Sequence, residues 1–105
     1  MRGTLKMKRN ANTPEAAIKI KSIVEDGIGY KYELFMRESS MVASCGIPLY
    51  SISVEMTQSD GKVTRAHTKD LFSDIGKATE FFEKLVNNLA TPIDLPYVVE
   101  DELSR

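Results

Sequence analysis

A chain of 105 residues, 42% hydrophobic and 28% charged, has the size and composition of one water-soluble domain with its own core. Its net charge of −1, from 14 basic and 15 acidic residues, supplies no overall field for nucleic acid or anionic lipid, and no apolar run approaches the ~20 residues of a membrane helix. Cys45 is the only cysteine, so it makes no internal disulfide and points to a reducing cytoplasm.

Residues 1–15 carry Arg2, Lys6, Lys8 and Arg9 with no apolar segment behind them, unlike a secretory signal. They lack apolar periodicity and are expected to form a flexible tail, with a single domain over residues 16–105. Residues 16–24 read two ways. Thr13-Pro14-Glu15 is a good helix start, yet Ile18-Lys19-Ile20-Lys21 alternates with period two and is rich in β-branched residues. The strand reading is preferred, because the Asp26-Gly27 stretch then turns the chain into the next strand.

In that strand Tyr30, Tyr32, Leu34 and Met36 alternate with Lys31, Glu33, Phe35 and Arg37, as in a sheet with one wet face. Gly46 and Pro48 suggest a bulge or an edge before the third strand. There Tyr50, Ile52, Val54 and Met56 share one face, and Leu49, Ser51, Ser53, Glu55 and Thr57 the other.

The turn at Ser59-Asp60-Gly61 fixes the register of the fourth strand. A two-residue loop would oppose Met56 to Arg65, Val54 to His67 and Ile52 to Lys69, placing three basic side chains on the apolar face. A three-residue loop with Gly61 in the left-handed conformation instead opposes Met56 to Thr64, Val54 to Ala66 and Ile52 to Thr68, and sets Glu55 beside Arg65. Burying an unpaired charge costs several kcal/mol, so the three-residue loop is expected.

A helix follows over 75–89, capped by Asp74 or Ser73 and stopped by Thr91-Pro92. Its residues Ile75, Ala78, Phe81, Phe82, Leu85, Val86 and Leu89 fall in an arc of about 140°, and Glu80–Lys84 forms a favourable i,i+4 pair. Asp94-Leu95-Pro96 opens a short second helix through Leu103, with Val98, Val99 and Leu103 as its apolar side. The expected fold is α+β: an antiparallel meander of four strands, an amphipathic helix on one face and a short terminal helix.

Few residues carry the marks of chemistry. His67, the only histidine, falls on the wet face beside Ser53 with no acid or oxyanion loop to make a hydrolytic site. Cys45 has no neighbouring base and reads as a small buried filler. One His and one Cys do not make a four-ligand zinc site. Glu100, Asp101 and Glu102 are consecutive and cannot converge on one point of a helix. Gly27 and Gly29 lack the third glycine and the helix of a dinucleotide site. No catalytic residue, cofactor or metal ligand is therefore assigned.

From Tyr30 onward the chain resembles a small family of uncharacterised proteins from spore-forming Gram-positive bacteria, classed as a domain of unknown function. The resemblance rests on Tyr30-Lys31-Tyr32-Glu33-Leu34, on Gly46-Ile47, on Ser73-Asp74 opening the helix, and on the run from Pro92 to Asp101. A tyrosine usually precedes the Gly-Ile in the family; Cys45 stands there here. The resemblance implies a cytosolic, sheet-plus-helix protein and carries no activity.

Three functions are weighed. The first is a small non-enzymatic interaction or regulatory module, with a protein partner or a second copy meeting a surface formed by Lys31, Phe35, Arg37, Leu49, Arg65, His67 and Lys69. The second is nucleic-acid binding through the basic N-terminal arm and the outer sheet face. The third, an enzyme, ranks last because no set of groups that shift one another's pKa converges.

Overall fold

A computed structural model describes residues 15–39 and 46–104. Four strands, β1 (Ala16–Glu25), β2 (Ile28–Glu38), β3 (Pro48–Thr57) and β4 (Val63–Phe72), pair antiparallel in chain order. They are followed by helices α1 (Ile75–Asn87) and α2 (Leu95–Leu103). This is the expected α+β meander, and residues 16–24 are strand. Residues 1–14 and Cys45 lie outside the described residues.

The β1–β2 and β3–β4 turns follow from their sequences. Asp26 and Gly27 both take positive φ (52° and 78°), as a two-residue hairpin turn requires. At the β3–β4 turn Gly61 has φ 91°, the Gly61 N–H donates to the Gln58 carbonyl at 2.8 Å, and the Gln58 N–H donates to Lys62 at 2.8 Å. The three-residue loop is therefore present. Met56 faces Thr64, Val54 faces Ala66, Ile52 faces Thr68, and Glu55 faces Arg65.

The core lies between the sheet and the helices. Tyr32, Leu34, Ile52 and Val54 are fully buried, and Ala78, Phe81, Phe82 and Leu85 of α1 close over them. Asp74 caps α1, its Oδ2 accepting from the Lys77 N–H at 3.1 Å. The helix ends at Asn87, two residues short of the expected Leu89, and the chain leaves it through Leu89, a non-glycine at φ 51°, with the Leu89 N–H bonded to Val86 and the Ala90 N–H to Leu85. Thr91 and Asp94 then form a reciprocal cap: the Thr91 N–H donates to Asp94 Oδ2 (3.0 Å) and the Asp94 N–H to Thr91 Oγ1 (3.3 Å). Thr91-Pro92 thus leads into α2 as well as stopping α1.

Four details differ from expectation. Pro48 opens a central strand, opposite Glu38, where the first position of a strand tolerates its missing N–H. Ile75 stands 51% exposed at the open end of α1. On α2 the buried residue is Leu95, with Val98 and Val99 packed against the core, while Leu103 points to solvent. Lys84 reaches Glu102 of α2 at 3.7 Å in place of Glu80, tying the two helices together.

The sense of β1 follows from the reach of α1. A bulge between Ala17 and Lys19 sets Lys19, Lys21 and Ile23 on the helix side, opposite Leu34, Tyr32 and Tyr30. Helix α1 packs mainly on β2, β3 and β4. The helix side of β1 is consequently a rim, and it suits lysines. Lys19 pairs with Glu83 at 3.0 Å and lies over the Phe82 ring at 5.9 Å.

Candidate protein-interaction surface

The sheet face opposite α1 is built from the alternate residues of four strands. Ile20, Ser22 and Val24 of β1 oppose Glu33, Lys31 and Gly29 of β2. Lys31, Phe35 and Arg37 in turn oppose Glu55, Ser51 and Leu49 of β3, and Ser53 and Glu55 oppose His67 and Arg65 of β4. Six of the seven residues expected to form a partner surface are thereby brought onto one face. Lys69, the seventh, is exposed where β4 leaves regular pairing.

At the centre, the rings of Phe35 and His67 meet edge to face, with centroids 5.9 Å apart and planes at 61°. Leu49 lies half-buried nearby, across from Arg37. Around this patch each of three cations has an acid. Arg65 Nε donates to Glu55 Oε2 at 3.1 Å, with a second bond from Nη2 to the same oxygen. Lys31 lies 4.0 Å from Glu33. Arg37 clasps Asp70 with two bonds, Nε to Oδ1 at 3.1 Å and Nη2 to Oδ2 at 2.5 Å. The Asp70 bonds hold the Arg37 guanidinium above its ordinary range, against a smaller opposing effect of burial.

Asp70 is the residue the sequence reading left out. Ile52 pairs with Thr68 but Tyr50 pairs with Phe72, so β4 carries extra residues between these two rungs. Asp70 sits in this bulge at φ 54°, and its N–H donates to the Oγ of Ser51 at 2.9 Å. Ser51 is fully buried although it lies on the outer side of the sheet. The sequence signal was an aspartate within a strand, a residue that strands disfavour and left-handed bulges accept.

Among the described residues, no group of three or more His, Cys, Asp or Glu is placed to hold a metal ion. The arrangement can offer a nearly neutral surface with aromatic and aliphatic side chains at its middle. No described helix is long and apolar enough to cross a membrane.

Comparison with curated proteins and with solved structures found no match. Comparison with protein families matched residues 11–105 to a family of unknown function, DUF6514. That match spans most of the sequence, and the chain belongs to the DUF6514 family.

Proposed function

We propose that this chain is a small non-enzymatic interaction module, acting in the bacterial cytoplasm, whose outer sheet face docks a protein partner. The observation that carries this reading is the outer face itself. Both described helices pack against the core on the other side, which leaves Phe35, His67 and Leu49 turned away from them. Such a patch, apolar at the centre with a polar rim, has the make-up of a protein interface.

Charge pairing favours a protein over a nucleic acid as the occupant. Nucleic-acid binding draws its affinity from cations that release counterions from phosphate. Here Lys31, Arg37 and Arg65 are each engaged by a carboxylate.

The test is a pull-down from the native cell with the wild-type chain and the Phe35→Glu/His67→Glu variant. A partner retained by the wild type and lost by a folded variant is the expected result. Capture that the variant leaves unchanged overturns the choice of face. In a parallel titration, salt-sensitive binding of mixed-sequence DNA or RNA would replace the protein partner with nucleic acid.

A further inference from the structure

We infer that β1 is a self-complementary edge, and that two copies of this chain join through it, centred on Ser22, into one continuous eight-stranded sheet. This goes beyond the outer-face reading and uses a different surface.

Among the described residues, the two edges of the sheet are not alike. On β4 the Asp70 bulge breaks the ladder and α2 packs alongside, two devices that blunt an edge. On β1 the bulge lies at one end. From Lys19 to Glu25 every residue pairs in unbroken register with β2, from Lys19–Leu34 to Glu25–Ile28. This straight stretch is seven residues long, and its middle residue is Ser22. The apolar residues of its outer face are in the open, with Ile20 55% and Val24 78% exposed.

The hydrogen-bonding phase fits a two-fold axis at Ser22. Asp26-Gly27 is a two-residue turn with both φ positive, so Glu25 and Ile28 exchange their backbone bonds. Alternation then turns Glu25, Ile23, Lys21 and Lys19 toward β2, and sends the N–H and C=O groups of Val24, Ser22 and Ile20 to the open side. An antiparallel partner centred on Ser22 satisfies all of these groups at once. Ser22 pairs with the partner's Ser22, and Ile20 with the partner's Val24, twice.

The side chains select the same register. On the outer face it sets Ile20 against the partner's Val24, an apolar cross-strand pair. On the helix face it sets Lys19 against the partner's Glu25, an ion pair repeated by symmetry. The partner's Glu25 joins a rim already formed by Lys19, Lys21, Phe82 and Glu83, giving two cations and two acids. A register centred on Ile20 would oppose Lys19 to the partner's Lys21 at both ends. One centred on Lys21 would oppose that lysine to its own copy. The edge lysines thus disfavour both of these pairings, whereas the one centred on Ser22 gives Lys19 an acid. Because the axis is perpendicular to the sheet, the two outer faces become one surface.

Sedimentation of the full chain over a range of concentrations tests this. The wild type should be a dimer. Ser22→Pro removes an outward N–H without touching the β2 ladder, and should weaken self-association by about thirty-fold, the loss of two interchain bonds. If Ser22→Pro does not fold, a charge pair carries the test. Glu25→Lys should weaken the dimer, and Lys19→Glu/Glu25→Lys should restore it. Phe35→Glu should leave the dimer intact, which separates this proposal from the outer-face reading. A wild-type monomer overturns the proposal, as does a dimer indifferent to both Ser22→Pro and Glu25→Lys. If the monomer nevertheless protects the Ile20, Ser22 and Val24 amides from exchange, the occupant is the chain's own residues 1–14.

Discussion

Tyr32 and Ala90 are 58 residues apart in the chain and joined at 2.8 Å, the buried tyrosine hydroxyl donating to the Ala90 carbonyl. The bond fixes the link between α1 and α2 onto the centre of β2. It uses a carbonyl that sits just past a helix end, in a region where backbone acceptors lack helical partners. Tyr32→Phe keeps the packing and deletes the donor. It should cost about 1–2 kcal/mol at neutral pH in denaturant unfolding.

The same residue sets a pH dependence. Burial, with smaller contributions from Tyr30 and Asp94, pushes the Tyr32 hydroxyl from 10.0 to about 12. The unfolded chain therefore releases this proton at lower pH than the folded one. Stability from this group is complete below pH 10.0 and falls as the pH rises toward about 12. Tyr32→Phe should lose less stability than the wild type over that window. Urea melts of both proteins at pH 8, 10 and 11 measure the difference, since the other tyrosines are common to both.

Ser51 explains why the bulge at Asp70 holds its shape. The serine is fully buried and its Oγ accepts the Asp70 N–H at 2.9 Å. Ser51→Ala leaves that N–H without this partner, at a cost of about 1–2 kcal/mol. Amide exchange at Asp70 should quicken in the variant. Unchanged exchange and unchanged stability would show that the bulge does not depend on the serine.

Gly61 isolates a purely conformational cost. Its φ is 91° and a Cβ built there meets nothing within 4 Å. Gly61→Ala therefore introduces no clash, only a backbone state that L-residues avoid, worth about 1 kcal/mol. The contact between Met56 and Thr64 should survive in nuclear Overhauser spectra, because slipping to a two-residue loop would turn Arg65 inward against Met56.

That register was legible in the sequence because a one-residue slip has a large electrostatic consequence. Only one loop length keeps Arg65, His67 and Lys69 out of the core, and the Glu55–Arg65 rung follows from it. The Asp70 bulge was not legible in the same way. Alternation through β4 looks unbroken, and the extra residues show only once Tyr50 is seen opposite Phe72. The two faces of β1 were hidden for another reason. Period two separates Lys19 and Lys21 from Ile20 but does not say which set lies on the helix side. The bulge at Ala17 and the reach of α1 decide that. On the outer face, parity alone brought Phe35 and His67 together, whereas the Arg37 clasp required the bulge.

The two arginines of the outer face should respond differently to mutation, and the difference matters for mapping a partner. The Arg65 side chain is 68% exposed, and its bond to Glu55 crosses a solvated pair of strands. Such pairs contribute about 0.2–1 kcal/mol and weaken with salt. Arg65→Ala should thus unfold close to the wild type, most nearly so in high salt. Arg37 is 14% exposed and makes two bonds to an aspartate held in a left-handed bulge over buried Ser51. Arg37→Ala removes both bonds from Asp70 and should be clearly more destabilising than Arg65→Ala, with amide exchange quickening through residues 68–72. Lost binding in Arg65→Ala or Phe35→Glu would then report the docking face itself. Lost binding in Arg37→Ala would report the bulge beneath it. Equal stability of the two arginine variants would show that the Asp70 clasp is held by the backbone and not by the guanidinium.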